Sequence, residues 1–234
     1  MPHRECDCTG DGESARVGDW GVAVTGNAGN ARSELGGAAV GGDDATATCS
    51  GMMALAGEGG CAQVGDGSMA RVGYRGRASG ECLSVAYTHP DGWALSKQIG
   101  IALAVGGLAE TTVEGIAATY SIFFTPPLLP PLSWRGIAVA GAGGIAVAMS
   151  EGSLVQAGTG GALLGIWKDG TNGMQVAVRR IKTTAAASHI YRFAKGRFVR
   201  VKGQELADAL ADIARWRKAG PRKIKPRGKR KETR

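Results

Sequence analysis

The chain has 234 residues, enough for one large domain or two small ones, and a formal net charge of +8. Glycine supplies 39 of them, more than twice the usual share of about 7%, whereas aromatic residues make up only 6%. That composition argues against an ordinary core of large side chains and makes internal repetition the first expectation.

The first 14 residues, MPHRECDCTGDGES, lack the apolar run of a secretory leader and read as an N-terminal tail. His3, Cys6 and Cys8 are metal-competent residue types, but such a trio arises readily by accident in a tail, so no metal is assigned. The cysteines Cys6, Cys8, Cys49, Cys61 and Cys82 are odd in number and form no CxxC pair, so neither a disulfide framework nor a zinc site is indicated. Reduced thiols and a cytoplasmic setting follow as the expectation.

From residue 15 the chain repeats every eight residues. The alanines run Ala15, Ala23, Ala31, Ala39 and Ala47, then resume after one seven-residue step as Ala54, Ala62, Ala70, Ala78, Ala86, Ala94 and Ala102. The frame is expected to continue through Glu110 and Ala118, and again through Ala138, Ala146, Leu154 and Ala162. A period of eight suits a short strand plus a tight turn. In G-x-A-x-V the Gly, Ala and Val would point inward and both x residues outward, since side chains alternate along a strand. Tetrads such as Gly18-Asp19-Trp20-Gly21 and Gly65-Asp66-Gly67-Ser68 would supply turns with positive φ.

The outward residues distinguish alternate octets. One series reads Ser14/Arg16, Asn30/Arg32, Thr46/Thr48, Cys61/Gln63 and Arg77/Ser79, and is polar until it breaks at Trp93/Leu95. The other is largely apolar: Val22/Val24, Ala38/Val40, Met53/Leu55, Met69/Arg71, Val85/Tyr87 and Ile101/Leu103. Two octets per coil, about 16 residues, would segregate them in this way. The predicted fold is therefore all-β, a narrow two-faced β-solenoid over residues 15–165, with about seven coils between residues 15 and 118. An apolar face of this extent should be covered, either by the C-terminal region folding back or by another subunit.

Residues 120–135, YSIFFTPPLLPPLSWR, interrupt the octets. Pro126, Pro127, Pro130 and Pro131 cannot donate ladder hydrogen bonds, so a loop or polyproline-like excursion is expected. Packing on its own domain is the favoured reading, with a partner-bound Pro-rich ligand as the alternative.

Beyond the solenoid a β-strand cap is predicted over residues 166–202, with strands at 174–181, 190–193 and 197–201. An amphipathic helix follows over 203–220. Leu206, Leu210, Ile213 and Trp216 share its apolar face, acidic residues come early and basic ones late, and Gly220-Pro221 ends it. Residues 221–234 carry 8 Lys/Arg and one Glu and read as a disordered basic tail. The charge is split along the chain. Residues 1–165 hold 8 Lys/Arg against 15 Asp/Glu, and residues 166–234 hold 20 against 5.

Three segments carry a family resemblance. They are Gly18-Asp19-Trp20-Gly21-Val22-Ala23, Gly65-Asp66-Gly67-Ser68-Met69-Ala70, and Gly158-Thr159-Gly160-Gly161-Ala162-Leu163 followed by Trp167 and Asp169. Together with Tyr191-Arg192-Phe193 and Gly196-Arg197-Phe198-Val199, they resemble uncharacterised bacterial and phage proteins. Those proteins have Gly-Asp-x-Gly-x-Ala octapeptides and a G-x-G-G-x-L-x-x-x-W-x-D closing segment. The resemblance covers roughly residues 15–201. The degenerate octets, Pro-rich insert, helix and basic tail depart from the pattern. It implies a β-solenoid and a phage or mobile-element origin, and carries no activity.

No catalytic constellation is legible. His3, His89 and His189 lie in no nucleophile or acid–base motif, so the expectation is a non-enzymatic protein with no cofactor, no metal and no small-molecule substrate. Asp19, Asp43, Asp66 and Asp91 are too scattered for a calcium-binding roll. Thr46 and Thr48 have no neighbours to extend an ice-binding array. Residues 99–109 and 136–149 are too short to span a bilayer, so no membrane partner is expected.

Two function classes remain open. The first is a structural or interaction protein that is homo-oligomeric or bound to a protein partner through Val22, Val24, Val40, Met53, Leu55, Val85, Tyr87, Ile101 and Leu103. It would work in the bacterial cytoplasm or, if phage-encoded, the virion. The second is a nucleic-acid-associated or regulatory protein. It would act through Arg222, Lys223, Lys225, Arg227, Lys229, Arg230 and Lys231 as candidate polyanion contacts, or through the acidic solenoid as an inhibitor of a basic cleft.

Overall fold

The structure, a computed structural model, describes residues 5–120, 122–124, 132–134, 136–169 and 173–218. The octets form a β-solenoid of about nine coils, about 16 residues apart. Each coil gives one strand to each of two 11-stranded sheets. Sheet one begins with Cys6–Cys8 and Val22–Thr25 and ends on Ala162–Asp169 and Gly173–Arg180. Sheet two begins with Ser14–Val17 and Asn30–Ser33 and ends on Tyr191–Ala194 and Arg197–Arg200. The N-terminal tail expectation is corrected in part: Cys6–Cys8 pairs with the strand from Val22 and belongs to the solenoid.

The alanines form two continuous inward ladders. In sheet one, Ala23, Ala39, Ala54, Ala70, Ala86, Ala102, Ala117 and Ala146 stack in register. In sheet two the ladder is Ala15, Ala31, Ala47, Ala62, Ala78, Ala94, Ala109 and Ala138. All are buried. The small side chain lets the two sheets lie close together, so the core is a thin slab in which each coil is held by its neighbours.

The expected frame fails at two places because turn length changes while the ladder does not. The strands Ile101–Val105 and Leu108–Val113 are joined by Gly106-Gly107 alone, which makes a second seven-residue step. Ala109 and Ala117 therefore point inward. Glu110 lies outward between Leu95 and Val139, and Ala118 stands opposite Leu103 and Val147. After the insert, five residues separate Ile145–Ala148 from Leu154–Ala157. That nine-residue step puts Val155 and Leu163 on the inward ladder in place of Leu154 and Ala162.

Each corner has room for one side chain. A Cβ at Gly37 would run into Ser33 Oγ, one at Gly100 into Ser96 Oγ, and one at Gly29 into Thr25 Oγ1. Where the fourth strand position is glycine the order inverts, as at Gly41/Ala45 and Gly80/Ser84. Some corner hydroxyls also satisfy carbonyls: Thr25 Oγ1 donates to Glu13 O at 3.1 Å and Ser33 Oγ to Gly21 O at 3.2 Å, whereas those of Thr88, Thr111 and Thr119 have no partner among the described residues. Outside the corners, Asx side chains link successive coils. Asn27 N donates to Asp11 Oδ1, Asp43 N to Asn27 Oδ1 and Glu58 N to Asp43 Oδ1.

Positive φ recurs about once per turn, but glycine does not always supply it. In Gly18-Asp19-Trp20-Gly21 the left-handed residue is Trp20 (φ 63°), and Leu83 (54°), Ile99 (50°) and Glu114 (48°) hold equivalent places. A β-branched residue is the least suited to this region. Ile99 is more than half exposed, so little packing is lost on removing it. Ile99→Gly is therefore expected to stabilise the protein by about 1 kcal/mol, read as a higher denaturation midpoint. An unchanged or lower midpoint would contradict a strained turn.

The insert is partly strand: Ile122–Phe124 pairs antiparallel with Leu132–Trp134. Its four prolines lie outside the described residues. The cap strands form at Gly173–Arg180, Tyr191–Ala194 and Arg197–Arg200, with an unexpected short helix at Thr184–Ala187. Tyr191 and Phe193 close the core end, and Phe193 packs with Trp167 and Phe198 at ring separations of 5.4 and 5.2 Å. Gly165 makes room for the Phe193 ring.

The helix Gly203–Lys218 folds back onto sheet two. Its Ala209, Ile213 and Trp216 bury against Trp93, Leu108, Ile137 and Leu154, the outward column at which the polar series turns apolar. Asp91, at a positive-φ turn, receives Trp216 Nε1–H at 3.3 Å and lies 3.6 Å from Arg215 and 3.5 Å from Arg75. Arg217 pairs with Glu110 at 2.5 Å, and Arg192 with Glu205 at 3.2 Å. The helix face is corrected at one position: Leu206 is half-buried but Leu210 is exposed.

Candidate interaction surfaces

Two outward columns of sheet one form the flat face expected from the sequence. One runs Val22, Ala38, Met53, Met69, Val85, Ile101, Ile116 and Ile145. The other runs Val24, Val40, Leu55, Arg71, Tyr87, Leu103, Ala118 and Val147. Val22 and Ile101 are exposed, and Val24, Val40, Met53, Leu55, Val85, Tyr87 and Leu103 are half-buried by their ladder neighbours. The face continues into Met174, Val176 and Val178 on the edge strand, 66, 59 and 64% exposed.

The C-terminal helix covers the opposite sheet, so it does not cover this face. That is the outcome sequence reasoning left open, and its signal was the break at Trp93/Leu95. One charge interrupts the apolar columns. Arg71 lies 5.7 Å from the Tyr87 ring centroid and 3.2 Å from His89 Nε2, so its head is held to one side of the face.

The second surface is the cap. From residue 170 to 204 the chain carries Arg179, Arg180, Lys182, Arg192, Lys195, Arg197, Arg200 and Lys202 and no Asp or Glu. The Arg179 guanidinium lies 4.4 Å over the Tyr191 ring, and Arg200 stands directly across from Tyr191 on the neighbouring strand. His189 meets the same ring edge-on at 6.3 Å. Partial burial, and then the charges of Arg200, Arg179 and Lys202, hold its imidazole below the usual histidine range. Sequence reasoning placed the polyanion surface in the tail, and Arg222, Lys223, Lys225, Arg227, Lys229, Arg230 and Lys231 lie outside the described residues. The excess of cations between 170 and 204 was legible as a count, but their convergence was not.

The remaining candidates are structural. Asp19 and Asp66 accept backbone N–H groups from Leu35 and Cys82 one coil on, and Asp43 does the same for Glu58. Cys49 is buried, with its thiol donating to Gly37 O at 2.9 Å. Cys6 and Cys8 are exposed with their sulfurs 3.4 Å apart, and that hydrogen bond raises the Cys8 thiol pKa. Among the described residues no three His, Cys, Asp or Glu side chains are grouped to hold a metal ion. No described helix is long and apolar enough to cross a membrane.

Comparison with protein-family models, curated proteins and solved structures gives no match for this chain.

Proposed function

We propose that this β-solenoid is a non-enzymatic structural protein that joins a second copy of itself through the flat apolar face of sheet one. The observation that carries the reading is the asymmetry between the two sheets. The chain commits its only long described helix to the apolar end of sheet two, while among the described residues the columns of sheet one stay exposed or half-buried from Val22 to Ile116 and are buried only at Ala118 and Val147. A flat, ladder-built face is self-complementary, as an isologous dimer contact requires. Burial there is worth about 25 cal/mol per Å², enough to offset the entropy of association once several hundred Å² are covered on each copy. The octapeptides and closing segment resemble those of phage and bacterial proteins, which bears on the setting and carries no activity.

Val85→Lys with Ile101→Lys puts two charges on adjacent rungs of the face. The substituted protein is expected to run as a monomer where the parent is a dimer, with a lower melting temperature at micromolar concentration because the association that stabilises the folded chain is lost. A double variant that keeps the parent mass would contradict the reading.

A second reading, a nucleic-acid-associated protein, is favoured by the uncompensated cations of the cap.

A further inference from the structure

We infer that the cap carries a phosphodiester-binding site of its own, formed by Arg179, Arg200 and Lys202 around His189, whose ligand is a nucleic-acid backbone. The inference rests on the second reading above and is independent of the apolar face. Three observations carry it.

The first is convergence. The strands Gly173–Arg180 and Arg197–Arg200 end different sheets, yet the Arg179 guanidinium lies over the buried Tyr191 ring and Arg200 is the cross-strand partner of Tyr191. Arg179 is held there by the ring and by donation from Nη1 to Phe198 O at 3.4 Å. A guanidinium fixed in this way loses little freedom on meeting a phosphate, which it can grip with two parallel N–H donors.

The second is charge balance. Arg16, Lys97, Arg192 and Arg217 each pair with an acid, Glu34, Glu81, Glu205 and Glu110, whereas the segment from 170 to 204 supplies no acid of its own. Among the described residues, Arg179, Arg200 and Lys202 have no carboxylate within ion-pair distance. Like charges held together cost free energy unless an anion joins them.

The third is the histidine. His189 faces Arg179 from sheet one, Arg200 and Tyr191 from sheet two, and Lys202 before the helix, all cationic or neutral. A bound phosphate would reverse the local field and favour the imidazolium, which adds a donor to the site.

The acidic first coil of a second copy is a poorer ligand for the cap. Asp7, Asp11 and Glu13 already accept the backbone N–H groups of Arg16, Asn27 and Gly10, so their carboxylates are engaged. A nucleic acid offers regularly spaced, unengaged phosphates, and its affinity gains from release of condensed counterions.

The test is fluorescence anisotropy of a labelled duplex oligonucleotide titrated with the full chain between about 50 and about 200 mM salt. Wild-type affinity is expected to fall steeply with salt. Arg200→Glu with Lys202→Glu should lower it about tenfold or more and reduce the log–log salt slope by about two, one for each lost phosphate contact. Arg200→Gln with Lys202→Gln should move both in the same direction, which guards against misfolding of the reversed variant. Lys229→Ala with Lys231→Ala reports the tail separately. The His189 titration, followed by NMR, should shift to higher pH on adding the oligonucleotide, so that wild-type affinity rises from about pH 7.5 to about pH 6 and His189→Gln flattens the rise.

The inference is overturned if wild type does not bind at the lowest salt, or if only the tail variant loses binding. It is also overturned if the cap variants instead abolish a salt-sensitive self-association seen without nucleic acid. The cap substitutions leave the apolar face intact, so this failure and failure of the dimer reading are distinguishable.

Discussion

Ala78→Leu is expected to cost about 3 kcal/mol, at the upper end of what overpacking a well-filled core costs. Ala78 is fully buried between Ala62 and Ala94 in the inward ladder of sheet two. Facing it is the alanine ladder of sheet one, not a pocket, and both ladders are pinned by hydrogen bonds to coils above and below. Leucine adds three carbons to a slab that is one alanine thick on each side. The sheets can separate locally only by straining several coils, so the cost is not confined to one side chain. For a chain of this size the loss corresponds to a melting temperature lower by roughly 6–12 °C. Thermal unfolding of the single variant measures it, and a midpoint within a degree of wild type would contradict the inward ladder.

Trp216→Ala is the second large effect, at about 3 kcal/mol or more by analogy with other buried aromatic truncations. Trp216 is buried against the Trp93, Leu108, Ile137 and Leu154 column, and its indole N–H reaches Asp91. Removing it leaves a cavity under the helix and takes one donor from the Asp91 carboxylate, which keeps Arg75 and Arg215. The remaining anchors, Ile213 and Ala209, cover less of the column, so the helix should detach before the solenoid melts. Amide exchange in residues 203–218 is expected to accelerate while the alanine ladders stay protected. Equal acceleration throughout, or none, would show that the helix is not a separate lid.

Much of the fold was legible because the inward position accepts so few residues. A ladder closed by alanine and flanked by corner glycines leaves a period of eight in the sequence, and the contrast between alternate outward residues gives the two-sheet coil. What escaped depends on turn length. The steps after Ala102 and Ala146 leave the hydrogen-bonded register intact in space but shift it in the sequence, so Glu110 and Leu154 were placed on the wrong side. The helix was legible from its own spacing, but its docking site was not. Leu108, Ile137 and Leu154 become neighbours of Trp93 only after coiling, and the break at Trp93/Leu95 was the only local trace. Leu210 fits the helical spacing, yet Ala209 takes the buried place, because the helix meets a flat sheet with a narrower stripe than the full apolar arc.

The candidate surfaces divide in the same way. The face residues from Val22 to Leu103 were legible from alternation, because outward positions on adjacent octets fall on different sheets, whereas Ile116 and Ala118 were not, because the seven-residue step after Ala102 reverses their side. The cap site was not, because Arg179 and Arg200 are 21 positions apart and belong to different sheets. Only the closure of both sheets around Tyr191 brings them together.

The central claim is that the open face of sheet one joins two copies of the chain. Light scattering coupled to size exclusion, on wild type at micromolar concentration and at both low and high salt, tests it most directly. An apolar contact should persist or strengthen as salt rises, because screening weakens charge pairs and leaves apolar burial in place. The account predicts twice the 23.9 kDa chain mass at both salts. A 23.9 kDa monomer at both salts would contradict it.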